Sequence, residues 1–363
     1  MKQTVIILAM LLICMVSSAQ QKWEVIPLPD PLHGSPDTVS VHIIGDVMMH
    51  GKQLPCDCTT FLRDIAPEMQ AADISIANME FALGGAPYTG YPSFSTPDYY
   101  ARYIAGECGA DVLLTANNHI LDRGSDGLTR TLRVYDELRD SLGTFHTGSS
   151  RHPSERRDNF PLIVHSKGIS IAIINFTYGT NSGSSDGWPK VNRMRKEEIG
   201  AAFERAKARG ADFIVAIPHW GQEYSLKHSQ SQQEWAEWLV DQGADVIVGS
   251  HPHVVQDTTH IKGVPVIYSL GNAVSNMSAT NTRLELSATL RFVIDDRTGS
   301  KAMLEPQLDF MWCTLPGKLI PDSYATIYVK KWATRKSEWL TPSDYENMVE
   351  TLERVKASTG ISD

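Results

Sequence analysis

The chain has 363 residues, of which 42% are hydrophobic, enough to bury a sizeable core, and it carries a formal net charge of −9. An acidic balance of that size excludes a surface built for nucleic acid or for an anionic membrane, both of which require a basic patch. Beyond the first residues, no run approaches the roughly 20 apolar positions that a membrane-crossing helix needs.

Met1 to Ala19 reads as a signal peptide: Lys2, an apolar stretch from Val5 to Val16, then the small residues Ser17-Ser18-Ala19. The mature chain, 20–363, is therefore expected to begin near Gln20 and to act outside the cytoplasm, in the periplasm, at the cell surface or secreted, with an uncleaved membrane anchor as the alternative. Ile13 in front of Cys14 speaks against a lipoprotein signal. Cys56, Cys58, Cys108 and Cys313 remain, an even number in a compartment where disulfides persist. Spacing assigns no pairing, but a disulfide clamping the Cys56-Asp57-Cys58 loop is favoured over metal binding by those two thiols.

The predicted elements begin with a strand over Thr38 to Ile44, a short helix near Thr59 to Pro67 and a strand over Ile74 to Ala77. Gly84 to Pro97 is too rich in Gly and Pro for a helix or a central strand, and its Tyr88, Tyr91 and Phe94 are candidates to line a pocket. A helix over Pro97 to Cys108, a strand over Val112 to Ala116 and an amphipathic helix over Leu128 to Leu142 follow. Thr147 to Asn159 reads as a linker or surface excursion, and strands resume at Pro161 to His165 and Ile169 to Phe176. Gly179 to Trp188 reads as a lid or rim. Helix Lys196 to Arg209, strand Phe213 to Ile217, helix Gln232 to Gln242 and strand Val246 to Val248 alternate, the pattern that sets strands parallel with their ends together. The chain then turns to β over Val264 to Leu270, Leu284 to Ile294 and Ala302 to Trp312, with a hairpin signal at Asp295 to Gly299. These later strands are expected to form a second sheet packed on the first. A last helix covers Pro342 to Ala357 from a Thr-Pro-Ser cap, and no repeat or linker demands a second domain.

Five apolar runs end in side chains that bind metals: Asp46, Glu80, Asn118 with His119, His219, and the pair His251 and His253 around Pro252. Carboxylate, amide oxygen and imidazole together suit zinc, manganese or iron, whereas calcium calls for oxygen alone. Open α/β sheets gather ligands beyond the carboxyl ends of their strands. Singly, each residue has an ordinary explanation: a structural histidine, a turn capped by Asp46, an Asx turn at Asn117-Asn118. Jointly, polar ends at the same end of successive apolar runs describe a metal site.

At these residues the chain resembles the capsule synthesis (CapA) family linked to poly-gamma-glutamate, itself similar to the calcineurin-like metallophosphatases. The resemblance covers about residues 39–280 and rests on Gly45-Asp46, Asn78-Met79-Glu80, Asn117-Asn118-His119 with Asp122 and Gly124, His219-Trp220-Gly221-Gln222-Glu223-Tyr224, Gly249-Ser250-His251-Pro252-His253 and Ser269-Leu270-Gly271-Asn272. It implies an α/β fold, the four-layer α/β/β/α sandwich. It also implies two divalent transition-metal ions, with Asp46 and His253 on one, Asn118, His219 and His251 on the other, and Glu80 bridging. His119 would protonate a leaving group, and Asn117, Trp220, Tyr224 and Asn272 are candidates to meet substrate. The sequence departs from the phosphatase pattern at Met48, where a histidine is usual, and at Glu80, where an aspartate is usual; His50 is a candidate replacement. The implied function is a metal-dependent hydrolase or transferase acting on a phosphorylated substrate or an anionic polymer, with other capsule synthesis proteins as partners. The alternatives are a non-catalytic polymer-binding component and a hydrolase of the polyglutamate amide.

Overall fold

A computed structural model describes residues 38–183, 187–295 and 298–362; the signal-peptide reading at 1–19 lies outside them. The chain builds two large sheets packed face to face with helices on both outer sides, and a two-stranded ribbon of Ser149–Ser150 with Lys190–Val191. The first runs in the order Ala325–Tyr328, Lys301–Thr314, Leu284–Ile294, Thr38–Val47, Ile74–Met79, Val112–Leu114, Phe145–Thr147, with Asn272–Val274 also pairing with Thr38–Val47. Its half from Thr38–Val47 to Phe145–Thr147 is parallel, and its half beyond Leu284–Ile294 is antiparallel. The second sheet runs Thr258–Ile261, Val264–Ile267, Val246–Val248, Phe213–His219, Ile169–Thr177, Leu162–Ser166, with antiparallel strands only at its edges.

Three apolar layers follow. Alternate residues of the two sheets, such as Val41, Ile43, Ile76 and Leu114 against Ile171, Ile173, Val215 and Val248, fill the space between them. The helices Asp98–Gly106 and Gly124–Leu142 cover the outer face of the first sheet, and Lys196–Ala208 with Gln230–Gln242 covers that of the second. Central strands buried on both faces explain why they read as continuous Val, Ile, Leu and Ala runs. This is the four-layer α/β/β/α sandwich.

Several sequence expectations need correction. The strands after residue 284 do not make the second sheet: Leu284–Ile294 pairs antiparallel with Thr38–Val47 and widens the first, while residues 162–267 make the second. The Thr147 to Asn159 stretch is not a plain linker, since it holds a short strand and the helix Pro153–Asn159. The helix near residues 59–67 is instead a 3-10 turn at Cys58–Thr60 followed by the helix Ala66–Ala71. Thr341 does not cap the last helix, Pro342–Thr359, with its side chain; its hydroxyl donates to the carbonyl of Gly317 at 2.7 Å.

The expected disulfide clamp is also absent: Cys56, Cys58, Cys108 and Cys313 are all free thiols. Cys58, Cys108 and Cys313 point into the core beneath the first sheet's helices, whereas the Cys56 thiol donates to the carbonyl of Lys52. Burial pushes the Cys58 thiol up to about 11 and those of Cys108 and Cys313 to about 12, so they behave as apolar filling.

Candidate metal centre

The parallel strands of both sheets end on one rim, and each delivers a side chain there. Asp46 closes Thr38–Val47, Glu80 follows Ile74–Met79, Asn117, Asn118 and His119 follow Val112–Leu114, His219 closes Phe213–His219, and His251 and His253 follow Val246–Val248. Close backbone approach shapes the last loop. A β-carbon on Gly249 would lie 2.1 Å from the carbonyl oxygen of Tyr268 and 2.4 Å from Nε1 of Trp220, so only glycine fits before the histidine pair. His251 and His253 have φ of +99° and +59°, and Tyr224, whose N–H donates to Pro252, has +65°. L-residues rarely adopt that region, and such strain collects at functional sites.

Beside a grouping of the exposed Glu223 with His251 and His253, two fully buried ligand groups result, each with its donor atoms within 4.8 Å of one another: Asp46, Glu80 and His253, and Glu80, His219 and His251. Glu80 belongs to both. Its Oε1 lies 3.8 Å from Nε2 of His219 and 3.8 Å from Nε2 of His253. Asn118 Oδ1 stands 2.7 Å from Nε2 of His219, on the side of the second group. Neighbours orient these side chains. Asp46 accepts from Nδ2 of Asn78 at 2.6 Å and from the His251 N–H at 3.1 Å. Ser250 Oγ is 2.9 Å from Nδ1 of His219, and Asn272 Oδ1 is 2.8 Å from Nδ1 of His253. Such outer contacts set the tautomer and aim of ligand histidines.

The electrostatics are those of a cluster built around missing positive charge. Burial raises Asp46, but His253, His219 and Asn78 outweigh it and hold the carboxyl well below the usual range. Glu80 is driven well above its ordinary value by burial and by the charge of Asp46. Burial lowers His219 strongly and His251 to about 3. Burial also opposes the charge on His253, but Asp46 and Asn272 keep its proton and raise it. Both oxygens of Glu80 and Nδ1 of His251 are buried without a hydrogen-bond partner. A buried carboxylate left unpaired is costly, and divalent cations at the two groups would satisfy every orphaned atom. The donor set thus fits a pair of borderline divalent ions.

Beside the groups opens a cavity of about 480 Å³, lined by His50, His119, Glu223 and Tyr224 among others. His119 holds its Nδ1 2.7 Å from Oδ2 of Asp122 and meets Phe94 edge-on at 4.7 Å, while its Nε2 is 3.3 Å from Nδ2 of Asn181. Tyr224 lines the cavity, but the other substrate-binding candidates do not. Trp220 is buried on the outer side of the second sheet and donates to the carbonyl of Tyr268; Asn117 donates to the carbonyl of Met79 and holds the turn; Asn272 is occupied by His253 and by the carbonyl of Thr282. His50 belongs to neither ligand group: its Nδ1 accepts from the Asn276 N–H and burial lowers it to about 4. Met48 is buried beside it. Of the loop aromatics, Tyr91 lines the cavity, Phe94 packs beneath it and Tyr88 stands away. Asp122, Asn78, Ser250 and Glu223 stand in the quoted motifs without a role read from the sequence, and Asn181 lies in no motif. Glu223 was within reach of the sequence, four residues after His219 in the same motif, but only the loop's path turns it to His251 and His253.

The family described as bacterial capsule synthesis protein PGA_cap matches residues 40–277, and the chain belongs to that family. It is similar to PGA biosynthesis protein CapA of Bacillus subtilis (strain 168), at 28% identity over 265 residues, 69% of this chain and 66% of the relative. It is equally similar to capsule biosynthesis protein CapA of Bacillus anthracis, at 28% over 268 residues, 69% of this chain and 63% of the relative. The chain therefore spans just under two thirds of the length of these relatives. Among solved structures, it is similar to the calcineurin-like phosphoesterase YfkN from Bacillus subtilis, at a TM-score of 0.45 and 14% identity, covering 88% of this chain and 99% of that one.

Proposed function

We propose that this chain is a metal-dependent hydrolase or transferase acting outside the cytoplasm in the biosynthesis of a capsule or envelope polymer of the poly-gamma-glutamate kind. The observation that carries the reading is Glu80, fully buried, shared by both ligand groups and without a partner for either oxygen. What divalent ions supply at such groups is Lewis acidity, which acidifies water and neutralises charge developing on a phosphoryl or carbonyl centre. The chain's own residues do the rest. Asn78, Ser250 and Asn272 fix the ligands; Asp122 holds the Nδ1 proton of His119 and leaves Nε2 facing the cavity, where it can pass a proton to a leaving group. A phosphoester and a polyglutamate amide are both within this chemistry. The family membership and the CapA names of the relatives support the polymer; other capsule synthesis proteins are the partners it suggests.

The second reading, a polymer-binding component without catalysis, draws on Met48, a residue with no metal-ligating imidazole beside Asp46. Metal content of the chain purified without chelator separates them. About two transition-metal equivalents, lost when His251 and His253 are both changed to alanine, with hydrolysis of bis(p-nitrophenyl) phosphate lost in parallel, is the expected result. No metal after reloading, and no hydrolysis, would leave only the binding reading.

A further inference from the structure

Among the described residues, the lining of the cavity contains no lysine or arginine, and its charged side chain other than histidine is the carboxylate of Glu223. That residue is exposed, and its carboxylate lies within 4.8 Å of donor nitrogens of His251 and His253. Two tyrosines flank the same opening. Tyr91, 70% exposed, has its ring 6.3 Å from that of His119, and Tyr224, 48% exposed, has its ring 6.3 Å from that of His253.

This wall is the opposite of what a polyanion requires. Carboxylates and phosphates away from a metal are held by arginine forks or lysines, and a glutamate in their place repels them. A carboxylate sharing its cavity with two exposed aromatic rings instead suits an ammonium group, which gains the ion pair and the attraction of the ring faces together. Resting on the metal-site reading above, we infer that this cavity takes its substrate by a primary ammonium group, the free amino end of a glutamyl chain or of another aminoacyl compound, seated on Glu223 in the cavity it shares with Tyr91 and Tyr224. The reacting phosphoryl or carbonyl group then lies toward Glu80, and the interior of a polyglutamate chain, which offers Glu223 carboxylates and no ammonium to offset them, is disfavoured. The chain end is what distinguishes substrate from polymer.

The test measures binding, by calorimetry, of tri-gamma-glutamate with a free amino end and of the same tripeptide N-acetylated, to the metal-loaded protein and to Glu223→Gln. The free form is expected to bind about ten-fold more tightly, the size of a partly desolvated ion pair with cation–π support. In Glu223→Gln the ratio falls to near one while metal content is retained. Equal affinity for the two forms in the unaltered protein, preference for the acetylated form, or no binding of either, overturns the inference. Loss of metal from Glu223→Gln would also overturn it, by making Glu223 a ligand. Metal content and bis(p-nitrophenyl) phosphate hydrolysis of the unaltered protein judge the hydrolase reading separately, so either can fail alone.

Discussion

Among the described residues, two regions put carboxylates and histidine within ligand distance, and they differ in how charge is neutralised. At the rim of the parallel strands, Asp46, Glu80, His219, His251 and His253 meet with no lysine or arginine among their ion pairs with described residues, and Glu80 keeps two orphaned oxygens. On the outer helix Gly124–Leu142, Asp136 stands near His146 and Glu155 with the same spacing. There Arg151 reaches Asp136 at 2.5 Å and Glu155 at 2.9 Å, and Arg139 adds a pair to Asp136 at 3.0 Å. Proximity of ligand residues is therefore not a metal site. The second cluster already holds its cation in the form of guanidinium groups, while the first has a charge deficit that protein atoms do not fill.

Three experiments break or sharpen this contrast. The largest effect is expected at Glu80. Glu80→Gln should abolish uptake at both ligand groups, read as metal content. It should also stabilise the metal-free fold, because native Glu80 retains a proton that the unfolded chain releases above pH about 4.5. The native state then binds more protons than the unfolded state, so the stability of the unaltered metal-free protein falls as pH rises through that window. The advantage of the variant should grow by about 1.4 kcal/mol per pH unit from 4.5 toward the native titration point, and vanish below pH 4.5. Denaturant midpoints at pH 4 and pH 8 check it; a variant that is less stable at both would mean that Glu80 is satisfied without metal.

Next, His119 and His146 each lie beside an aspartate, but only His119 opens to the cavity. His119→Ala should lower hydrolysis of bis(p-nitrophenyl) phosphate by about 10²–10⁴-fold with metal retained. His146→Gln should leave the rate unchanged, and equal losses would erase the distinction. The smallest effect belongs to Arg151. Removing its guanidinium in Arg151→Met should cost about 1 kcal/mol, read from urea unfolding, since the pairs are partly exposed. Metal stoichiometry should not change; a third equivalent would show that the guanidinium alone separates the two clusters.

Much of the rim was legible in the sequence because apolar runs end in ligands and alternation with helices makes the strands parallel, which fixes where Asp46, Glu80, Asn118, His219 and His251 emerge. The roles of Trp220, Asn117 and Asn272 were not. Trp220 and Asn117 adjoin ligands in the sequence and Asn272 meets His253 in space, yet Trp220 turns outward and the amides turn inward to hold backbone or His253. Residues next in sequence to a strand-end ligand point to different sides, and spacing does not say which side carries the cavity.

By itself, then, the sequence determined the element types, the family and the set of strand-end donors, all of which depend on local periodicity and on residue chemistry. Tertiary structure alone decided which sheet the strands after Leu284 join, that Cys56, Cys58, Cys108 and Cys313 stay unpaired, that Arg151 quenches one acidic cluster while Glu80 is left open, and that Glu223 faces the histidines. Each of these depends on pairing between residues distant in the chain, where the free energy lies in long-range packing and charge compensation rather than in any local pattern.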